Sequence, residues 1–193
     1  YPLFVCEGSG VRREVTSMPG VFNLSVDEAV KEAVAAKADG VPGVLLFGLP
    51  AYKDDVGSAA YDAQAPVQAA VRAIKQADPE ILVITDVCLC EYTSHGHCGV
   101  VVNGEIANDE SVGLLVRVAV SHAEAGADLV APSEMLDGRI GPDRGAHDQR
   151  GVQDVGSVPD AAKDCSAVRG PCRRAAERAA ACGARRPAPA GRG

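Results

Sequence analysis

Between Thr85 and Gly99 the chain concentrates three thiols, Cys88, Cys90 and Cys98, two imidazoles, His95 and His97, and the carboxylate of Asp86. Thiolates are soft ligands suited to zinc, and the spacing Cys88-x-Cys90-x7-Cys98 lets one loop fold three sulfurs onto a single ion. Three protein ligands leave a fourth position open. Water or substrate can bind there and be polarised, which distinguishes a catalytic zinc from a structural one. The competing reading is three unrelated thiols, one of them buried at a strand end. In so crowded a loop, His95 and His97 are expected to orient neighbours or substrate rather than to ligate.

The apolar run Ile81-Leu82-Val83-Ile84 directly precedes this cluster, so the ligands begin where a buried strand runs out. In α/β folds that end of a strand is where chemistry is usually done. Three further runs read as strands: Pro2 to Glu7, Val44-Leu45-Leu46-Phe47 and Leu129-Val130-Ala131-Pro132-Ser133. The Val44 run is continuously apolar, as for a parallel strand covered on both faces, and Gly48-Leu49-Pro50 is read as its end. Helices are expected between the strands. One begins near Ser25, where Glu28 three residues on suggests a capping box, and stops at Gly40. A second has helical spacing from Ala65 to Ala77 through Val67, Ala70, Val71 and Ile74. A third starts at Asn108-Asp109-Glu110 and ends at Gly126, with Leu114, Leu115, Val118 and His122 on one face. Four strand-then-helix units imply a parallel sheet, and no Gly-x-Gly-x-x-Gly fingerprint accompanies them. Pattern alone does not separate a barrel from an open sheet.

Composition narrows the function classes. The 193 residues carry a formal charge of -7, which disfavours nucleic acid as a partner of the whole chain. No apolar run approaches the roughly 18 residues of a membrane span, and the first residues resemble a strand rather than a signal peptide, so a cytoplasmic location is expected. Seven cysteines, an odd number with three clustered, favour metal use in a reducing compartment over a disulfide scaffold. The charge is unevenly divided. Residues 1–140 hold 20 acidic and 9 basic side chains, whereas 141–193 hold 6 and 10. After Ile140 there is no Leu, Ile, Met, Phe, Tyr or Trp, so the second segment has little to offset the entropy of ordering.

The run Asp86-Val87-Cys88-Leu89-Cys90 with Tyr92-Thr93-Ser94-His95-Gly96-His97-Cys98-Gly99 resembles the zinc-binding signature of the porphobilinogen synthase family, also called delta-aminolevulinic acid dehydratase. The resemblance extends through Ser17-Met18-Pro19-Gly20, Lys53-Asp54 with Gly57-Ser58, Ser121-His122-Ala123-Glu124-Ala125-Gly126-Ala127-Asp128 and Asp137-Gly138-Arg139. It implies a (β/α)8 barrel, of which this chain holds about the first four to five units, residues 1–140 being its N-terminal part. It also implies a hydro-lyase that joins two molecules of 5-aminolevulinate into porphobilinogen with loss of two waters, and a homo-oligomeric assembly. By resemblance, Cys88, Cys90 and Cys98 hold Zn2+, Asp86 handles a proton or positions an amine, and Ser133 lies on the active-site side of its strand. Lys163, in Ala161-Ala162-Lys163, matches one of two Schiff-base lysines; Arg173 and Arg185 match arginines that bind substrate carboxylate, where a guanidinium fork suits bidentate pairing.

Residues 141–193 keep this resemblance in eroded form and are expected to order poorly. Pro142 sits in a first helical turn, and Asp143 and His147 replace apolar residues on its inner face. Asp160, Asp164, Val168, Arg169 and Cys172 stand where the family has large apolar side chains. A diverged or damaged copy accounts for these swaps better than selection for a new role, since no new motif appears. The arginines of the tail lack the aromatic interleaving of a nucleic-acid surface. The family's second lysine, later strands and N-terminal arm are not among the 193 residues, so this chain is expected not to turn over substrate alone and, since the arm contributes to the family's assembly, to assemble poorly. A non-catalytic zinc-binding remnant is the alternative.

Overall fold

The computed structural model describes residues 1–133, Leu136, Ala146 and 155–157. It opens with β1 (Pro2–Cys6), β2 (Arg12–Glu14) and β3 (Phe22–Ser25), then α1 (Val26–Ala38), β4 (Gly43–Leu49), α2 (Pro66–Ala77) and β5 (Leu82–Val87). A two-stranded hairpin, β6 (Val101–Val102) and β7 (Glu105–Ile106), precedes α3 (Asn108–Ala125), β8 (Leu129–Pro132) and β9 (Gly156–Ser157). Seven strands form one sheet in the order β2-β3-β1-β4-β5-β8-β9, and every neighbouring pair is parallel except β2 with β3. The strand-helix-strand succession that the apolar runs predict is therefore present.

Alternation along the strands decides which side the helices cover. Leu3, Val5, Val44, Leu46 and Val83 form one buried cluster with Ala29 and Ala33 of α1 and Val67, Val71 and Ile74 of α2. Each of these larger aliphatic side chains contributes roughly 2 kcal/mol by leaving water. The intervening residues, Phe4, Leu45, Phe47, Ile84 and Asp86, point to the other face and are only half-buried. Phe4 and Phe47, partners in register, stack there with ring centroids 5.4 Å apart. The expectation that β4 is covered on both faces is thus corrected. One face is fully sealed by helices, and the other is screened only by neighbouring side chains.

Three local expectations also change. Phe22–Ser25 is a parallel strand beside β1, not merely a lead into α1, because its backbone completes the hydrogen-bonding edge of β1. Ser25 occupies the cap position of α1 without forming a capping box. Its hydroxyl instead bonds Asp27 Oδ1 at 2.5 Å and accepts from Val11 N–H at 2.9 Å, tying the helix start to the chain ahead of it. Gly48 lies inside β4 rather than ending it. The helix stops at Gly40 and Gly126 stand as read: both have positive φ, +90° and +105°, which suits glycine at a helix terminus.

Candidate metal centre

β5 carries Asp86 and Val87 to the end of the sheet, where alternation turns Val87 toward α3 and leaves Asp86 on the half-buried face. The next residues leave the sheet but stay anchored. Leu89 and Tyr92 insert into a second core cluster with Leu115, Val118 and Ala119 of α3, and both are essentially buried. The amides of Tyr92 and Thr93 both donate to Leu89 C=O at 2.9 Å, closing a tight turn that brings Cys88 and Cys90 onto one side. Farther along, Thr93 Oγ1 donates to His97 C=O at 2.8 Å, and Gly99 packs against Ser111 at the start of α3. Val100 N–H donates to Ser111 Oγ at 2.9 Å, which fixes the segment leaving Cys98.

The loop after β4 buttresses this turn. Asp54 C=O accepts from Ser94 N–H at 2.9 Å, and Asp55 Oδ1 accepts from the Ser94 hydroxyl at 2.5 Å. Asp54 is itself held by Ser58 N–H, Val56 N–H and the Ser58 hydroxyl, and the hydroxyl bond, followed by the backbone bonds, keeps its carboxyl below the usual range. His95 and His97 serve this architecture. His95 Nδ1 accepts from His97 N–H at 3.1 Å while Nε2 lies 3.2 Å from Asp55 C=O, so a single neutral tautomer protonated on Nε2 satisfies both. Neither ring joins a group of metal-binding geometry among the described residues.

Gly57 turns this buttress with φ +64°, and a Cβ there would sit 3.2 Å from both Leu89 and Tyr92. Gly57→Ala is expected to cost about 1–2 kcal/mol from the left-handed backbone alone. Chemical denaturation of the two chains measures it. An unchanged midpoint would mean the turn does not need glycine.

The three sulfurs converge. Cys88, Cys90 and Cys98 place their Sγ atoms within 4.8 Å of one another, and Cys88 and Cys90 stand 3.3 Å apart. A tetrahedral ion with bonds of about 2.3 Å needs sulfurs roughly 3.8 Å apart, so the set fits such an ion with adjustments of no more than about 1 Å. Cys88 is 3 % exposed, and the other two are half-buried. The three thiols interact with one another, and each is held above the ordinary thiol range. Cys88 is raised first by its hydrogen bond to Cys90, with burial and the Glu91 charge adding to it. Cys98 is pushed up to about 12, first by its hydrogen bond to Cys88. Cys90 also reaches about 12: the bond from Cys88 lowers it, and Cys98, burial and Glu91 together outweigh that.

Glu91 is the residue that sequence reading passed over. Its carboxylate, that of Asp86 and Cys88 Sγ form a second group with ligand atoms within 4.8 Å of one another. The only sequence signal was its place beside Cys90. Ser133 follows β8, and its N–H donates to Val87 C=O at 3.3 Å, which places it next to the start of the cysteine turn. The structure therefore brings Asp86, Ser133 and the three cysteines to one end of neighbouring strands β5 and β8. Lys163, Arg173 and Arg185 lie outside the described residues.

Residues 1–188 match the family model described as delta-aminolevulinic acid dehydratase. The chain belongs to the delta-aminolevulinic acid dehydratase family. It is 50% identical over 188 residues to the delta-aminolevulinic acid dehydratase of Methanothermobacter thermautotrophicus, covering 96% of this chain and 57% of the relative. The Halalkalibacterium halodurans enzyme of the same name is 51% identical over 176 residues, at 91% and 54% coverage. A Ruminiclostridium josui relative is 45% identical, with 86% of its length covered. The crystal structure of delta-aminolevulinic acid dehydratase (porphobilinogen synthase) from Toxoplasma gondii ME49, in complex with the reaction product porphobilinogen, superimposes with a TM-score of 0.82 at 35% identity. That match covers 92% of this chain and 51% of the other. The chain thus spans a little over half the length of the first two relatives, and its partial barrel corresponds to part of the dehydratase fold. Among the described residues no helix is long and apolar enough to cross a membrane.

Proposed function

We propose that this chain carries the metal-holding part of a porphobilinogen synthase site, in a protein that condenses two molecules of 5-aminolevulinate to porphobilinogen with loss of two waters. The observation that carries the reading is the convergence of three cysteine sulfurs at the end of β5, in a chain half identical to named dehydratases. Cys88, Cys90 and Cys98 hold the ion, and a set of three soft sulfur donors favours Zn2+ over hard cations. Bound zinc would supply a Lewis acid that polarises a substrate group.

The chain's own groups do the rest. Asp86 faces the same end of the sheet and exchanges a proton with, or orients, the substrate amine. Ser133, beside Val87, offers a hydroxyl to the substrate. Lys163 supplies a neutral amine to a substrate ketone, and Arg173 and Arg185 pair with substrate carboxylates. The thiols must stay reduced, which suits the cytoplasm. Homo-oligomeric assembly follows the family.

Zinc stoichiometry tests the reading. The purified chain should take up one Zn2+, and alkylation of its cysteines should abolish uptake; failure to bind stoichiometric zinc would sink the proposal. Incubation with 5-aminolevulinate and assay for the pyrrole then separates an active enzyme from a zinc-binding remnant of the family.

A further inference from the structure

Gln68 Oε1, Thr85 Oγ1 and both ring nitrogens of His122 are sealed from solvent and have no hydrogen-bond partner among the described residues. The three side chains are at most 1 % exposed. Folded proteins leave few such atoms unsatisfied, because losing water without gaining a partner is costly. Here they fall on three different elements, α2, β5 and α3, and the packing brings them together.

Thr85 pairs in register with Leu46 on one side and Val130 on the other. Leu46 belongs to the core cluster with Val67 and Val71 of α2, and Val130 to the cluster with Val118 and Ala119 of α3, so Thr85 faces the seam between the two helices. Along β5, Val83 shares a cluster with Ala125, and Val87 shares one with Val118. His122 lies between Val118 and Ala125 on one stripe of α3, as Thr85 lies between Val83 and Val87 on one face of β5, so the two come level. Gln68 reaches the same level from α2. Its Nε2 donates at 2.9 Å to the hydroxyl of Ser121, the residue before His122.

The hydrogen bonds already made fix what the seam still needs. Gln68 Nε2 also donates to Ala60 C=O at 2.9 Å, so both of its protons are used, and a flipped amide would set Oε1 against that carbonyl. The Ser121 hydroxyl gives its own proton to Val118 C=O at 2.8 Å. Gln68 Oε1 therefore needs a donor from elsewhere. A neutral imidazole adds one donor and one acceptor, and the threonine hydroxyl is both. A cation would satisfy Oε1 and leave the imidazole N–H unmatched, and an anion would be repelled by Oε1. Water, with two donors and two acceptors, suits the whole set.

We propose that one internal water molecule is bound at this seam, donating to Gln68 Oε1, bonding Thr85 Oγ1 and meeting one ring nitrogen of His122. Three protein partners are the usual complement of a buried water. It ties α2 and α3 to the strand that ends in the cysteine turn, and it stands independently of the metal reading.

Oxygen-17 relaxation dispersion of the solvent, which registers water held for longer than the protein tumbles, tests this on the 193-residue chain, Thr85→Val and His122→Leu. Thr85→Val keeps the branched shape and removes the hydroxyl. It should lower the dispersion amplitude by about one water molecule and the melting temperature by about 2–4 °C. His122→Leu should lower the amplitude likewise. An unchanged amplitude in either folded variant overturns the proposal, whatever the melting temperature does, because the side chain then acts through packing alone. A Thr85→Val chain that melts at or above the parent temperature overturns it too, since valine would only have relieved an unpaired hydroxyl.

Discussion

Replacing Gly48 by alanine should destabilise the fold by about 3 kcal/mol, at the upper end of the usual cost of overpacking. Gly48 sits in β4 at the point where Tyr92 of the cysteine turn lies across the sheet, and a Cβ there would overlap the tyrosine hydroxyl. It would also come within 2.8 Å of Tyr92 Cζ and 2.9 Å of Val67 Cγ2, so neither side can yield without moving the core. Tyr92 is 4 % exposed and has no open space to enter. The substitution should therefore push out the turn that holds Cys88 and Cys90, and metal uptake should fall together with stability. Denaturant unfolding of Gly48→Ala, Tyr92→Leu and the double variant checks the contact. The double variant should lose distinctly less than the two single losses combined, because shortening Tyr92 removes the clash. Additive losses would mean that the glycine and the tyrosine do not meet.

Stability should fall by about 2 kcal/mol between pH 7 and pH 5, above the range where carboxylates titrate, because of His122. This side chain is fully buried on α3, and neither ring nitrogen has a hydrogen-bond partner among the described residues. Burial pushes its pKa down to about 3 from an ordinary 6.5. The folded chain thus keeps the ring neutral where the unfolded chain protonates it. Below the unfolded value the unfolded state binds more protons, so stability is complete above about pH 6.5 and declines as pH drops toward the folded value. His122→Leu removes the titrating group without leaving a large cavity. Its stability should be nearly flat from pH 7 to 5. The same slope in both chains would show that the imidazole is not what titrates.

Much of this architecture was legible in the residue pattern. The apolar runs near Val44 and Ile81, each followed by a helical period, and the run at Leu129 become β4, β5 and β8 with α2 and α3 between them. Val67, Ala70, Val71 and Ile74 are all buried, as a 3.6-residue period requires. The cysteine spacing singled out the loop in which three sulfurs converge. Less visible were the short strands β2 and β3: β3 exists because β1 offers an unpaired edge, and β2 because β3 then offers one in turn. The β6–β7 hairpin was also passed over, although Asn103-Gly104, with φ +52° and +84°, is the dipeptide such a turn favours.

Local chemistry thus determined the kinds of element and the ligands, because propensity, period and donor type are properties of neighbours in sequence. Only the tertiary structure decided that Tyr92 crosses Gly48 and that His122 is enclosed with no hydrogen-bond partner among the described residues. Those facts depend on approaches between residues about 40 or more positions apart, or on the desolvation that helix packing imposes, and neither leaves a periodic mark on the chain.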